Sequence, residues 1–456
     1  MIRVLCLVAV LMLACATPAA AHNVSAGADL RIAQTIAGTE LTVVIKGTTR
    51  VPGPLRIGVE AFEPVTALPV ALEIRSVADG RTVKGVATAA PDPQYTQLTV
   101  DRTGPHELTL RAGNEVAVLP FRVLVERAAV GELLIYGGLF LAGLLLVGGL
   151  LTGALSRPGP AMLLAGGAAA GVTLAAMVIV FEPMMPARPP DGAAPVLETS
   201  AATGAMVSGG RPFAQARVTT VPARPAVGAE FTVRIDLVDG STGRPVDDLV
   251  AHHEALAHLV VTSEDGRYFR HVHPLRTAPG RLEVKLRADR AGRYLAHAEL
   301  EREDSGGQLL TAEFGVGDDP AAQNPAAQNP AAQKPAAQKP AAEPTTAPTT
   351  GPDAQAGAAP VLRPAAPVAG RPVTIELGTA GAVRPWLGMA GHLIVRSQDG
   401  SFLGHIHEMG SSGPRLRFTY SFPEAGRYLA WAQYAVADRI VTVPFTVEVA
   451  PAEAGR

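Results

Sequence analysis

"HLVVTSEDGRYFRHVH" at residues 258–273 and "HLIVRSQDGSFLGHIH" at residues 392–407 decide how this chain is built. Each is an apolar, β-branched run, an Asp-Gly turn signal and a second run, which reads as a β-hairpin. Outward from the frames the correspondence continues. "RPAVGAEFTVRIDL" at 224–237 parallels "APVAGRPVTIEL" at 366–377, and "AGRYLAHAE" at 291–299 parallels "AGRYLAWAQ" at 425–433. Fixed offsets over such a length mark a duplicated structural unit. Each unit is about 100 residues of short strands, the size of an immunoglobulin-like sandwich.

A third unit precedes these two. Strand-like runs at 39–47, 55–62, 95–101 and 106–111 end in "VAVLPFRVLV" at 116–125, and "RIVTVPFTVEV" at 439–449 shares its V-x-P-F-x-V closing strand. The expected fold is therefore mainly β: three immunoglobulin-like β-sandwich modules plus a two-helix transmembrane hairpin. The hairpin comes from residues 133–155 and 161–181, uncharged stretches long enough to cross a bilayer and separated only by "SRPGP". The pairs Gly149/Gly153 and Gly167/Gly171 have the small-xxx-small spacing that brings helices close.

The start, "MIRVLCLVAVLMLACATPAAA", reads as a secretory signal peptide over residues 1–21. The expected order is then module 1 at 22–128, the transmembrane hairpin at 131–181, a tether at 182–214, module 2 at 215–318, a Pro/Ala linker at 319–360 and module 3 at 361–450. This order leaves the N- and C-terminal domains extracytoplasmic, anchored in the cell membrane. Cys6 and Cys15, the two cysteines, fall in the leader, so disulfides and thiolate metal sites are excluded from the mature chain. With 39 basic against 41 acidic residues there is no field for nucleic acid.

Function rests on the histidines. With Asp265-Gly266 as a two-residue turn, His258 pairs with His273 and His271 shares their face; Asp399-Gly400 does the same for His392, His405 and His407. Cross-strand neighbours about 5 Å apart bring three imidazoles within reach of one ion. A three-residue loop would shift the register by one and turn the leading ring away. Imidazoles without thiolates suit copper, zinc or nickel over calcium or magnesium; copper is the first expectation and zinc the second. His253 and His297 are further candidate ligands in module 2. Trp431 stands where His297 would be in module 3, and His106 is expected merely to pack. No nucleophile elbow, H-E-x-x-H or phosphate loop occurs in suitable context, so an enzyme is not expected.

At these residues, "HEALAHLVVTSEDGRYFRHVHP" resembles the H-x(4)-H-L-x-V-x-S-x-D…F-x-H-x-H-P pattern of bacterial exported YtkA-like and heavy-metal-associated modules. The resemblance covers about 215–316 well and 360–450 in part, since module 3 lacks the upstream His and has Glu408 where Pro274 stands. It implies an immunoglobulin-like sandwich and, by association, copper handling. The expected function is a membrane-anchored extracytoplasmic protein whose His hairpins bind or buffer copper. The alternatives are a structural or protein-binding envelope module without metal, and an accessory factor for a membrane partner such as a metal transporter.

Overall fold

A computed structural model describes residues 23–452 apart from segments 26–27, 64–67, 127–129, 182–183, 185–189, 194–212, 304–305, 318–358 and 409–413. The leader and the Pro/Ala linker lie outside the described residues, as does most of the tether.

The chain is mainly β, in three immunoglobulin-like sandwiches with a helical hairpin between the first and second. In module 1, Leu30–Ile36, Thr39–Lys46, Gly53–Ala61 and Thr96–Val100 form one sheet. Asn23–Val24, Glu115–Val123, Gly104–Ala112, Leu68–Ser76 and Thr82–Ala89 form the other. Their inward residues, among them Val43, Ile57, Leu72, Leu108 and Phe121, make one core. His106 is buried in this module beside Phe121, with Nδ1 donating to the Gly104 carbonyl at 3.0 Å, a packing role as expected.

Modules 2 and 3 repeat one design. In module 2, Ala257–Ser263 lies between Phe269–Val272 and Gly292–Arg302, and Gly306–Val316 flanks the latter. In module 3, Gly391–Ser397 lies between Leu403–Glu408 and Gly426–Val436, flanked by Arg439–Val449. A second sheet closes each core.

All seven residues of Ala257–Ser263 are buried, although a strand in a sandwich normally wets one face. Ala257, Leu259 and Val261 enter the module 2 core. His258, Val260 and Thr262 point the other way, and module 3 covers them with its own His392–Ile394–Arg396 face. The contact is an approximate twofold, because corresponding residues exchange contacts. A Cβ on Gly266 would lie 2.2 Å from Leu429, and one on Gly400, its counterpart, would lie 2.4 Å from Leu295, the counterpart of Leu429. Glycine is required at both turn tips, where φ is +71° and +76°. Between them Phe269 stacks on Trp431 at 4.6 Å, amid Val260, Ile394, Leu403 and Leu429. Module 1 closes the third side, with Ala33 and Phe62 packed against Ala255, Trp386, Leu387 and Ala435.

Helices α1 (Val130–Leu151) and α2 (Pro158–Phe181) are each long and apolar enough to cross a membrane. Their close approach uses one of the expected glycines, Gly171, with Gly138 as its partner. Gly138 and Gly171 meet, a Cβ on either falling within 2.6 Å of the other's carbonyl oxygen, with Ala168 and Ala175 buried on the same face of α2. Gly153 instead ends the first helix at φ +64°, and Gly149 faces Leu155 and Leu164.

Candidate metal centre

The hairpin register is the expected one, by a slightly different turn. Leu259 pairs with Val272 and Val260 with His271, which sets His258 across from His273. In module 3 His392 pairs directly with His407, and Ile394 with His405. The two-residue turn is not formed. Glu264 to Arg267 make a four-residue loop closed by Ser263 N donating to Tyr268 O at 3.1 Å, and Asp265 Oδ1 accepts from Ser263 Oγ and Arg267 N. An even loop centred on Asp265-Gly266 keeps the pleat parity, so the leading and closing rings still share a face.

Within each triad, His258/His271/His273 and His392/His405/His407, one nitrogen from every ring lies within 4.8 Å of the others, close enough to hold one metal ion. The hydrogen bonds fix which nitrogens these are. His258 Nε2 donates to the His252 carbonyl at 3.0 Å, His271 Nδ1 to Gln433 Oε1 at 2.9 Å, and His273 Nδ1 to Glu40 Oε1 at 2.5 Å. The Gln433 orientation is set by its Nε2, which donates to Thr442 Oγ1. In its neutral form an imidazole has one N–H, and this pattern of acceptors takes all three outward. The inner nitrogens, 3.1 and 3.2 Å apart from His258 Nδ1, then face one another as bare lone pairs. In the second triad His392 Nε2 donates to the Trp386 carbonyl at 3.1 Å and His405 Nδ1 to Glu299 Oε2 at 2.8 Å. His392 Nδ1 and His405 Nε2 converge at 3.2 Å, and His407 Nε2 is buried without a hydrogen-bond partner. Converging lone pairs backed by outward N–H donors are what a cation requires of histidine ligands.

Five of the six rings resist protonation. Burial first, then mutual repulsion among the imidazoles, keeps His258, His271, His392 and His405 well below the usual histidine range. Burial pushes His407 down to about 3. The residue at 405 retains some exposure on its edge strand, but its side chain is only 2% exposed, and the side chain is what matters for a ligand. Burial also raises the Glu299 carboxyl.

Two candidates are placed differently. His297 shares the face of His271 across Val260, but its Nε2 donates to Gly400 O at 3.2 Å and it joins no triad. The strand carrying Val260 lies between it and His271, and the turn tip of module 3 takes its ring nitrogen. His253 sits not by its own triad but against His407 of the other, with ring centroids 3.8 Å apart. It reaches there from a tight turn in which His253 and Glu254 have φ of +46° and +59°, where module 3 has Leu387 and Gly388. Arg31 of module 1 holds Glu254 in this conformation through a 2.8 Å ion pair.

Glu40, Glu299 and Gln433 were not foreseen. Glu299 and Gln433 occupy matching places in the two "AGRYLA" strands, but their role exists only once the modules face each other. Glu40 comes from module 1, and nothing in its local sequence signals it. A cleft of about 510 Å³ is lined in part by His271, Gln433, Glu40 and Trp386.

Residues 214–318 and 364–451 both match one protein family, described as a domain of unknown function (DUF8832), which makes modules 2 and 3 copies of one unit. No curated protein matches the chain. Among solved structures it is similar to the FN1–FN3 domains of chicken CNTN1, at 6% identity over 89% of this chain and 97% of that one, with a TM-score of 0.17. It is also similar to invasin, a bacterial integrin-binding protein, at 7% identity over 90% and 60%, with a TM-score of 0.16. A third is trypsin-activated α-2-macroglobulin from Escherichia coli, at 7% identity over 96% and 23%, with a TM-score of 0.18.

Proposed function

We propose that this is a membrane-anchored extracytoplasmic protein that binds a transition metal, copper first and zinc second, in its two histidine triads, without catalysing a reaction. The observation that carries the reading is the proton inventory: each ring of the first triad spends its only N–H on an outer oxygen, leaving three lone pairs aimed at one point. Such a cluster is repulsive when empty and is satisfied by a cation. A donor set of neutral imidazoles, with no thiolate and no carboxylate among the ligating atoms, suits copper and zinc. Copper is favoured further by charge. Each triad has one carboxylate on its outer nitrogens, the buried Glu40 or the partly exposed Glu299, so a singly charged cuprous ion leaves a neutral assembly.

Contact between module 1 and modules 2 and 3, as in Thr35 N donating to His273 O at 2.8 Å, supports both ends of the helical hairpin emerging on one side of the membrane. That arrangement, with the leader-like start, favours an extracytoplasmic site able to exchange metal with a membrane partner.

The test is direct titration of the detergent-solubilised full chain with Cu(II), reductively generated Cu(I) and Zn(II). An isolated module 2 would lack Glu40 and Gln433 and is the wrong object. Two ions per chain are expected, and one in a His271→Ala/His273→Ala variant. Absence of binding, or the same stoichiometry in the variant, overturns the reading.

A further inference from the structure

We infer that the two triads form one paired two-ion centre, in which each triad is charge-balanced by a carboxylate lent from another module. This rests on the metal reading above and goes beyond it, since two sites that merely share a chain would be independent.

Three observations carry it. First, the triads touch. His258 and His271 lie 5.1 and 5.0 Å, ring centroid to ring centroid, from His405 of the other triad, and His271 lies 6.0 Å from His392. With metal–nitrogen bonds of about 2 Å and rings about 1 Å in radius, the two ions stand within roughly 11 Å of each other. Second, the outer shells are crossed. His271 of module 2 is held by Gln433 of module 3, and His405 of module 3 by Glu299 of module 2, the same position in the two repeats. Third, the one break in this symmetry is made good from outside. Where module 3 offers the neutral Gln433, module 1 supplies Glu40, itself fixed by Thr35 Oγ1 at 2.7 Å, to His273. Each triad therefore receives one carboxylate, and neither receives it from its own module.

The consequence is coupling. A divalent ion with one carboxylate leaves a net single positive charge at each triad. Two such charges roughly 11 Å apart in a medium of effective dielectric about 20 repel enough to weaken the second binding step by about tenfold. Singly charged ions leave both triads neutral and should fill them without that penalty. Glu299 and Glu40 act as positioning residues: they orient a ligand ring and raise its basicity without touching the ion.

The experiment measures stepwise binding constants for Zn(II) and for Cu(I) on the full chain, by competition with a chromophoric chelator. Wild type is compared with His258→Ala/His273→Ala and His392→Ala/His405→Ala, which each keep one triad, and with Glu299→Gln and Gln433→Glu. The paired centre predicts that the second Zn(II) binds wild type about tenfold more weakly than the same triad binds it alone, and that Cu(I) shows no such gap. Glu299→Gln, which keeps a hydrogen-bond acceptor but removes the charge, weakens the His392 triad of the other module by tenfold to a hundredfold. Gln433→Glu tightens the His258 triad, a gain that a purely structural role would not give. Wild-type constants equal to those of the single-triad variants, or a Glu299→Gln effect confined to the triad of module 2, would overturn the pairing while leaving metal binding intact. No binding to any variant or to wild type would overturn both.

Discussion

Replacing Trp431 by alanine should undock module 3 from module 2 without unfolding either. Trp431 is fully buried, but it lies on the sheet face opposite the module 3 core, in the cluster with Val260, Phe269, Ile394, Leu403 and Leu429. Its ring stacks on Phe269 at 4.6 Å and an interplanar angle of 13°. Truncating a buried Trp costs about 3–5 kcal/mol, of which an aromatic pair accounts for about 0.5–1.5 kcal/mol. Because its stacking partner Phe269 and Val260 belong to module 2, a large share of the cost falls on docking and lowers the docking constant by up to roughly two to four orders of magnitude. The chain has two tryptophans, and the other, Trp386, is buried at the junction of all three modules. In the variant, Trp386 emission therefore reports docking while far-UV circular dichroism reports the sandwiches. In a denaturant series the emission transition should move to markedly lower concentration and separate from the dichroism transition. Two transitions that move together by the same amount would refute the reasoning, because they would place Trp431 in the fold of module 3. So would no movement at all.

Other outcomes follow from the same contacts. Burial pushes His297 down to about 4, so the native state excludes a proton that the unfolded chain takes up below about pH 6.5. The associated stability is fully present above pH 6.5 and is lost as pH falls toward 4; at pH 4.5 the loss amounts to about 2–3 kcal/mol, readable as a fall in the metal-free Tm that His297→Gln reduces. Gly400→Ala adds a Cβ 2.4 Å from Leu295 at a backbone φ of +76°, and should cost at least about 1–2 kcal/mol in thermal unfolding; an unchanged Tm would contradict the tip-to-sheet contact. Trp386 lies 4.9 Å from the His392 ring, so Cu(II) should quench its emission stoichiometrically while closed-shell Zn(II) should not; equal responses to both ions would remove the triads as the copper site.

Much of this was legible in the residues. The repeat was visible in matched offsets, and the three imidazoles of each hairpin share a face because strand parity is a property of spacing and of an even turn. The exact turn did not matter, since a two-residue and a four-residue loop centred on Asp265-Gly266 give the same pairing. What could not be read was anything made between modules. The seven-residue buried strand Ala257–Ser263 looks in sequence like an ordinary half-buried one, because His258 and Thr262 are polar, and only the docked partner makes their side dry. The surroundings of His297 are of the same kind: it faces the expected way, and the tip at Gly400 accepts its ring N–H. The His253 position also needed the partner, since it lies by His407. Glu40 is 233 positions from His273, and no local pattern announces such a contact. In the hairpin of helices, glycine spacing showed that a close approach was available, while the packing chose Gly138 and Gly171 for it.

The central claim is that neutral imidazoles alone ligate a metal in each triad. X-ray absorption on the full chain loaded with two equivalents of Cu(I) reads this directly. The account predicts a shell of three nitrogens at about 2 Å with the outer-ring scattering of imidazole, and loss of that shell from half the copper in His271→Ala/His273→Ala. A shell of oxygen or sulfur donors, or one that the variant leaves unchanged, would contradict it.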